Sequence, residues 1–355
     1  MKHRGRRVVG VIFVVAIGFA WLAGRGCGAD ELPVPPRAGS FTVQLKSGGW
    51  DRTATVHVPA GYETTDRLPL VVALHGAGGD GSTMLRNNGW AAKADREKFI
   101  VVAPDGMSAL PRLPNSLRAN PNLWNSGQLG SRSPRARIDD VAFIDDLLDM
   151  LKDRLPYDER RVYVTGHSNG AGMTFRLGAE LSERFAALAP VSGMLAVDDP
   201  RPKRPLPTLY IIGTLDPLQP IDGGEVTLPW GTKRTNVPVS DYLTRWAKAI
   251  DCSTEPKIVS DEAGIKRVEY PSNSGGPTVS AIYIEGQGPR MARRQFAFAR
   301  EDDRPEDRQA EGGRRDLGFL SRQVRAEVSL ARGRLAFLTT RSAWRLAFSR
   351  FAGTH

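Results

Sequence analysis

The segment RRVYVTGHSNGAGMTFRLGAEL (residues 160–181) constrains the fold more than any other part of the chain. An apolar run ends in the pentapeptide GHSNG, and a stretch with apolar residues at helical spacing follows at once. This order predicts a buried strand, a very tight turn and an amphipathic helix. Gly166 and Gly170, two positions on either side of Ser168, would let the two backbones approach closely. We therefore expect Ser168 to stand above the carboxyl edge of a parallel sheet, where open α/β sheets bind ligands.

The same alternation of strand and helix runs through the rest of the chain. Apolar strands are predicted in RLPLVVALHGAGG, IVVAPDG, FAALAPVSG, PTLYIIGTLDP and VSAIYIEGQG, and a hairpin in FTVQLKSGGWDRTATVHVPAGY. Helices are predicted in GSTMLRNNGWAAKADREKF, IDDVAFIDDLLDMLKDRL and VSDYLTRWAKAI. The pattern predicts an α/β fold with a mostly parallel sheet and helices on both faces. Residues 106–136 are polar and are predicted to form a long loop in the wall of a pocket.

The N-terminus has a basic start and an apolar run over residues 8–24, which is typical of a secretory signal or a membrane anchor. We expect residues 1–27 to direct export, with cleavage, anchoring and lipidation at Cys27 all open. A buried core helix is the alternative for this run. Residues 28–40 form a Pro-rich linker. Two cysteines make no disulfide framework; a buried thiol at Cys252 is favoured, and a bridge to Cys27 stays open.

The net charge of +10 is unevenly distributed. Residues 289–355 contain 15 arginines, no lysine and 8 acidic residues, whereas the remainder carries 34 basic and 31 acidic residues. The main body is therefore nearly balanced, and its charge does not argue for a nucleic-acid partner. We expect a membrane to be contacted only through the N-terminal segment. A genuine basic tail that lies on anionic lipid as an amphipathic helix is the alternative interpretation of residues 289–355.

Ser168 is predicted to be a nucleophile, because it begins a helix whose N-terminal N–H groups favour a developing oxyanion. A serine nucleophile needs a base that a carboxylate orients, and Asp216 follows a strand to the same sheet edge. The turn HGAGG is predicted to aim the N–H of Ala77, or next that of Gly78, at the substrate oxygen, with the N–H of Asn169 as the second donor. Each of these roles has a structural alternative. Ser168 could simply cap the helix, the HGAGG turn could bind no ligand, and Asp216 could cap the turn before Pro217.

Two histidines near these motifs are not the expected base. Adjacent side chains on the turn diverge, so His167 should point away from Ser168. His75 is interpreted as a structural histidine that fixes its loop through hydrogen bonds.

The motifs LHGAGGDG, GWAAKADREKFIVVAPDG, LWNSGQ, IDDVAFIDDLLDML, VYVTGHSNGAGMTFRL, FAALAPVSG and IIGTLDPLQP resemble the polyhydroxybutyrate depolymerase family over residues 41–288. These are secreted esterases with the α/β-hydrolase fold, related to feruloyl and acetylxylan esterases. The resemblance implies an ester substrate, no metal or cofactor, Ser168 as nucleophile and Asp216 as acid. It also implies that Trp124 and Asn125 lie near the substrate. A pseudoenzyme that binds ester polymers and a peptidase on the same fold are the rival classes.

The family places its catalytic histidine after the last strand, in a loop of the form G-H-x-W-P-G-G. Here Pro289 stands at that position, and the one histidine after Asp216 is His355. Codons can be chosen for the sequence PRMARRQFAFAR such that deletion of one base yields HAWPGGNSRLP. We therefore hypothesise a one-base insertion near the Gly288 codon, in the gene or in its sequencing. The chain as written is expected to lack the triad base and to hydrolyse esters poorly or not at all.

Overall fold

The computed structural model describes residues 38–63, 65–128 and 133–288. The predicted export segment, most of the linker and the Arg-rich tail lie outside the described residues. The described strands are β1 (Gly39–Ser47), β2 (Trp50–Val58), β3 (Leu68–Leu74), β4 (Ile100–Pro104), β5 (Tyr157–His167), β6 (Ala187–Val191), β7 (Thr208–Gly213), β8 (Gly224–Thr227), β9 (Lys233–Asn236), β10 (Lys257–Glu262), β11 (Ile265–Tyr270) and β12 (Val279–Ile284). The described helices are α1 (Gly81–Asn87), α2 (Trp90–Glu97), α3 (Asp140–Arg154), α4 (Asn169–Glu180) and α5 (Val239–Ala249).

Ten of these strands form one sheet in the order β1-β2-β4-β3-β5-β6-β7-β12-β11-β10. Six neighbouring strands of this sheet run parallel to one another, and in sheet order these are β4, β3, β5, β6, β7 and β12. The strands at both edges are antiparallel, and β1 and β2 form the predicted hairpin around Gly48 and Gly49. The prediction of an α/β-hydrolase fold with a mostly parallel central sheet is confirmed.

Helices pack on both faces of the sheet, and β3 shows how its side chains alternate between them. Leu70, Val72 and Leu74 lie in the apolar cluster formed with α3, α4 and α5. Val71 and Ala73 point to the opposite face, where they pack with α1 and α2. All five side chains are at most 4% exposed, as expected for a central parallel strand covered on both sides.

The region predicted as a single helix in GSTMLRNNGWAAKADREKF forms two helices, and in this respect the prediction is wrong. The break falls at Asn88 and Gly89, where Gly89 takes the left-handed conformation with φ of 71°. Glycine tolerates this conformation and helix interiors do not contain it, so the chain turns between α1 and α2.

Four strands were not predicted from the sequence. β8 and β9 form a separate two-stranded ribbon, and β10 and β11 extend the large sheet beyond β12. Each is short and includes charged residues, so none carries the apolar run that identifies a buried strand. No helix in the described ranges is long and apolar enough to cross a membrane.

Candidate active site

Ser168 stands at the junction between β5 and α4 in a conformation that residues with side chains rarely adopt. Its φ and ψ are 54° and −117°. Its N–H donates to the carbonyl of Val191 at 2.9 Å, and its own carbonyl accepts from Ala171 and Gly172 at 3.0 and 3.1 Å. These hydrogen bonds fix the turn from both sides, because one holds it to the neighbouring strand and two belong to the first turn of the helix.

The glycines around Ser168 are required by close backbone contacts. A Cβ atom on Gly166 would lie 2.3 Å from the carbonyl oxygen of Gly170. A Cβ on Gly170 would lie 2.5 Å from the carbonyl oxygens of Leu74 and His75. Both distances are far shorter than any real Cβ contact, so any larger residue would push the turn out of place.

The loop after β3 lies directly against Ser168. A Cβ on Gly76 would lie 3.5 Å from the Cβ of Ser168. The N–H of Gly78 donates to the carbonyl of Asn122 at 2.8 Å, so this predicted second choice of oxyanion donor is already occupied. No acceptor for the N–H of Ala77 is found among the described residues. Its geometry therefore leaves Ala77 N–H, rather than Gly78 N–H, available to a ligand.

His75 has its two ring nitrogens engaged by backbone groups. Nδ1 lies 2.7 Å from the carbonyl oxygen of Gly76, which accepts, and Nε2 accepts from the N–H of Gly106 at 2.9 Å. This pairing requires the neutral ring protonated on Nδ1. Complete burial lowers the pKa of His75, which favours the same neutral form. The contacts match the structural role predicted for this histidine.

Asp216 follows β7 at the same edge of the sheet and is 5% exposed. One carboxylate oxygen, Oδ1, accepts from the N–H groups of Leu218 and Gln219 at 2.9 and 3.1 Å. These two bonds fix the carboxylate in one orientation.

The segment after β12 runs beside the Asp216 turn. The N–H of Leu215 donates to the carbonyl of Gln287 at 3.0 Å. A Cβ on Gly288 would lie 3.2 Å from the carbonyl oxygen of Leu215. Gln287 and Gly288 therefore lie immediately beside the loop that carries Asp216. Pro289 itself and His355 lie outside the described residues.

Trp124 and Asn125, which the family resemblance suggested as substrate contacts, make their described contacts with the protein. Trp124 is fully buried, its indole N–H donates to the carbonyl of His75 at 2.9 Å, and its backbone pairs with the Asn169 side chain. The Asn125 amide donates to the carbonyl of Ile138 at 3.2 Å. Both residues hold the loop that backs the site, and neither side chain lines the cavity.

A cavity of about 400 Å³ lies above Ser168 and is lined by Ser168, Asp216, Ala77 and Asn169 together. His167 also lines it. Burial lowers the pKa of His167 to about 4, and the charge of Asp216 offsets part of that shift. The ring is therefore neutral at physiological pH.

The ribbon of β8 and β9 closes one side of the cavity. No strand was predicted from the sequence at these positions. The cavity-lining residues from this ribbon and its turn are Leu228, Pro229, Trp230, Thr232, Lys233 and Arg234. An aromatic residue inside the turn LPWGT was the one available signal. Within the described residues, no group of three or more His, Cys, Asp or Glu side chains is suited to hold a metal ion.

Comparison with known proteins places this arrangement in a family. The model of the Esterase family, described as "Putative esterase", matches residues 46–266. Three curated relatives are similar over part of the chain. The protein named "Putative esterase NocK" from Nocardia uniformis subsp. tsuyamanensis is 35% identical over 49% of this chain and 48% of its own. Feruloyl esterase B from Piromyces equi is 28% identical over 67% of this chain and 42% of its own. Poly(3-hydroxyalkanoate) depolymerase C from Paucimonas lemoignei is 34% identical over 39% of this chain and 30% of its own.

The chain thus spans half or less of the length of these three relatives. The matched region nevertheless includes β2 to β9, the Ser168 turn and Asp216. A family match over more than half of the chain, on a sheet with the confirmed topology, identifies the protein: it is a member of the Esterase family.

Proposed function

We propose that this protein is a serine carboxylic-ester hydrolase of the polyhydroxybutyrate depolymerase-like type, which acts through an acyl-enzyme. The observation that carries the proposal is the strained turn at Ser168, with φ of 54°, at the base of a cavity that Asp216 also lines. Ala77 and Asn169 line the same cavity with backbone N–H groups to which no described acceptor is assigned. This set supports a nucleophile, an orienting carboxylate and an oxyanion hole.

In the proposed reaction, Ser168 Oγ attacks the ester carbonyl while a histidine takes its proton. The N–H groups of Ala77 and Asn169 stabilise the oxyanion of the tetrahedral intermediate. The C–O bond to the alcohol then breaks, and the histidine returns the proton to the leaving alcohol. Water, deprotonated by the same histidine, hydrolyses the acyl-enzyme and restores the serine hydroxyl. Asp216 would orient that histidine and stabilise its charged form.

The histidine of this mechanism is missing from the chain as written, and we infer that the reading frame changes near Gly288. The short path from Gly288 to the Asp216 turn supports this inference, because a histidine at position 289 would begin beside the carboxylate. The chain as written should then retain the oxyanion hole and the binding cavity without the base. An inactive ester-binding protein is the alternative that this missing histidine favours.

The substrate is proposed to be an ester of the kind cleaved by depolymerases of hydroxyalkanoate polymers, with feruloyl or acetylxylan esters as the alternative. Relatives that carry the names of both kinds of enzyme are similar to this chain in sequence. A cavity of about 400 Å³ suits a small acyl group, since ligand sites of this size hold small molecules. Export is proposed from the basic and apolar N-terminus.

The test is a frame-corrected chain, with histidine at position 289, assayed beside the chain as written. Hydroxybutyrate, feruloyl, acetyl and p-nitrophenyl butyrate esters form the substrate panel. We expect the corrected chain to raise kcat/KM by about 10³-fold or more, because the base is restored to an otherwise complete site.

Two controls interpret that assay. Ser168→Ala in the corrected chain should abolish turnover and covalent labelling by a fluorophosphonate. A corrected chain that folds but neither turns over an ester nor accepts the label would refute the serine esterase proposal. A clean resequencing of the locus, with no extra base near the Gly288 codon, would refute the frame change alone.

A further inference from the structure

Arg234 on β9 brings a positive charge into the proposed ester cavity. Its guanidinium donates to the side-chain oxygen of Gln128 at 3.1 Å and approaches the carbonyl oxygen of Leu218 at 3.5 Å. Both partners are neutral, and both line the same cavity as Ser168. The second contact is at the limit of hydrogen-bonding distance, so it contributes little.

The guanidinium has donor capacity that the described residues do not use. Its Nε is buried and has no hydrogen-bond partner among them. No carboxylate in the described part of the chain forms an ion pair with Arg234, and burial alone lowers its pKa. A buried donor without an acceptor is costly, and Arg234 as a whole is only half-buried. The guanidinium is therefore a charged group in the cavity wall whose hydrogen-bonding capacity the described residues leave partly unused.

The neighbouring charges differ from Arg234 in being satisfied. Lys233 forms an ion pair with Glu225 at 2.8 Å across the β8–β9 ribbon. Asp80 caps α1, where one carboxylate oxygen accepts from the N–H of Thr83 at 2.8 Å. Asp216 is held by the backbone of its own loop. Among the described ionic groups of the cavity, Arg234 is the one with a buried polar atom that no described residue pairs.

We propose that Arg234 binds a free carboxylate carried by the ester substrate, so that the cavity prefers half-esters of dicarboxylic acids and acid-terminated oligomers over neutral esters. The proposal rests on the proposed esterase function, since it names the substrate class of that same site. A guanidinium presents its donors in a planar fork that matches a carboxylate, and such charge-assisted pairs are stronger than neutral hydrogen bonds. Trp230 and Leu228, on the same ribbon, would cover the connecting carbon chain.

The competing explanation is that Arg234 only ties the ribbon to the Leu218 loop. A purely structural arginine would affect all ligands alike, whereas a carboxylate anchor affects only charged ones. The informative quantity is therefore the ratio of two affinities measured in the same protein. Arg245 is a matched control, because its Nε is also buried without a partner and its guanidinium donates to the carbonyl of Leu195 at 2.7 Å, away from the cavity.

The experiment measures Kd by calorimetry for monomethyl and dimethyl esters of succinate, glutarate and adipate. The full-length Ser168→Ala chain is used, so that no probe is turned over. We expect at least one half-ester to bind about tenfold or more tightly than its dimethyl ester, as a charge-assisted pair provides. Arg234→Gln should reduce that ratio to within about twofold, whereas Arg245→Gln should keep it and Arg234→Lys should keep part of it.

A second readout needs no substitution at Arg234. In the Ser168→Ala chain the half-ester should shift the NMR signal of the Arg234 Nε–H, and the dimethyl ester should leave it unchanged. Equal affinities for both probes, or a preference that persists in Arg234→Gln, would overturn the proposal. Fluorophosphonate labelling of Ser168 reports the esterase chemistry separately, so a failure of one proposal is distinguishable from a failure of the other.

Discussion

At the scale of single residues, the site depends on one position where the backbone is strained. A non-glycine residue with positive φ costs about 1–3 kcal/mol, and the structure must hold it there. At Ser168 three backbone hydrogen bonds do so, and Gly193 allows the next strand to approach, since its Cβ would lie 2.2 Å from the Ser168 carbonyl oxygen. Ser168 is thus held in place because the neighbouring glycines carry no side chains and let the backbone approach closely.

The substitution Gly166→Ala tests this dependence. The new Cβ would meet the backbone of Gly170 at 2.3 Å, and backbone cannot move aside as a flexible side chain can. In the frame-corrected chain we expect the free energy of unfolding to fall by about 1–3 kcal/mol or more, and fluorophosphonate labelling of Ser168 to slow in the folded fraction. Urea unfolding and mass spectrometry measure the two effects.

Gly276→Ala is the control for that substitution. Its Cβ would meet no atom closer than Ser272 Oγ at 3.5 Å, so it should be nearly neutral in both assays. Equal behaviour of the two alanine variants would mean that the close approach at Gly166 does not hold the turn.

The sequence predicted those cavity residues whose position follows directly from the end of a parallel strand. Ser168 and Asp216 follow parallel strands, and parallel strands end at one edge of the sheet, so their shared cavity could be expected. Arg234 and Trp230 could not be expected there. They reach the cavity through the path of a polar ribbon, and no local pattern of spacing encodes where such a ribbon lies.

At the scale of secondary-structure elements, half of one sheet face has no helix on it in the described part of the chain. The helices α1 and α2 cover Val71 and Ala73 on this face. The strand register places a row of aliphatic side chains from β6, β7 and β12 on the same face. These side chains are all partly exposed, and they are Val191, Leu209, Ile211, Ile282 and Ile284. A stripe of aliphatic side chains of this kind is typical of a surface that a helix covers.

The hypothesised frame change would provide an occupant for this face. Codons for EDDRPEDRQAEGGRRDLGFL (residues 301–320) can be chosen so that the alternative frame ends in an amphipathic helical pattern. We expect the frame-corrected chain to be more stable to urea than the chain as written, because it would bury these side chains. The gain should amount to several kcal/mol, given that each fully buried aliphatic side chain contributes about 1.5–3 kcal/mol.

Ile211→Ala in both chains locates the effect. The substitution should cost about 2–4 kcal/mol in the corrected chain, where the side chain is buried, and less than about 1 kcal/mol in the chain as written. Equal costs in the two backgrounds would show that the corrected C-terminus does not pack on this face.

The elements that were predicted and those that were not differ in how they are buried. The central strands are covered on both faces and carry continuous apolar runs, as β4 does with five buried residues in a row. β10 is covered on neither face, leaves Ile258 and Val259 63% and 61% exposed, and reads as loop. Such strands form at the edge of the sheet through backbone hydrogen bonds to the neighbouring strand. These hydrogen bonds require no particular alternation of apolar and polar side chains, so the sequence does not indicate the strand.

At the scale of the whole molecule, two buried neutral imidazoles make the domain sensitive to acid. His75 and His167 both lie at the base of the cavity, and burial lowers the pKa of each. Protonation of His75 would also remove the acceptor for the Gly106 N–H, since Nε2 would then carry a proton. The site that hydrolyses esters in the proposed function is therefore also the part of the fold that acid should open first.

His167 allows the sign and size of this effect to be stated. Its pKa falls from 6.5 in the unfolded chain to about 4 in the folded protein. Between these values the unfolded state binds more protons, so stability is present above pH 6.5 and is lost as the pH falls toward 4. The slope from this group approaches about 1.4 kcal/mol per pH unit in that window.

The substitution His167→Gln removes the titrating group and tests this effect. Between pH 6.5 and pH 5 the free energy of unfolding of the variant, measured in urea, should fall about 1–2 kcal/mol less than that of the unsubstituted chain. Above pH 7.5 the two curves should run parallel, since the imidazole is neutral in both states there. Identical slopes between pH 5 and 6.5 would mean that the His167 ring is hydrated in the folded protein, and the cavity would then be open to water at its base.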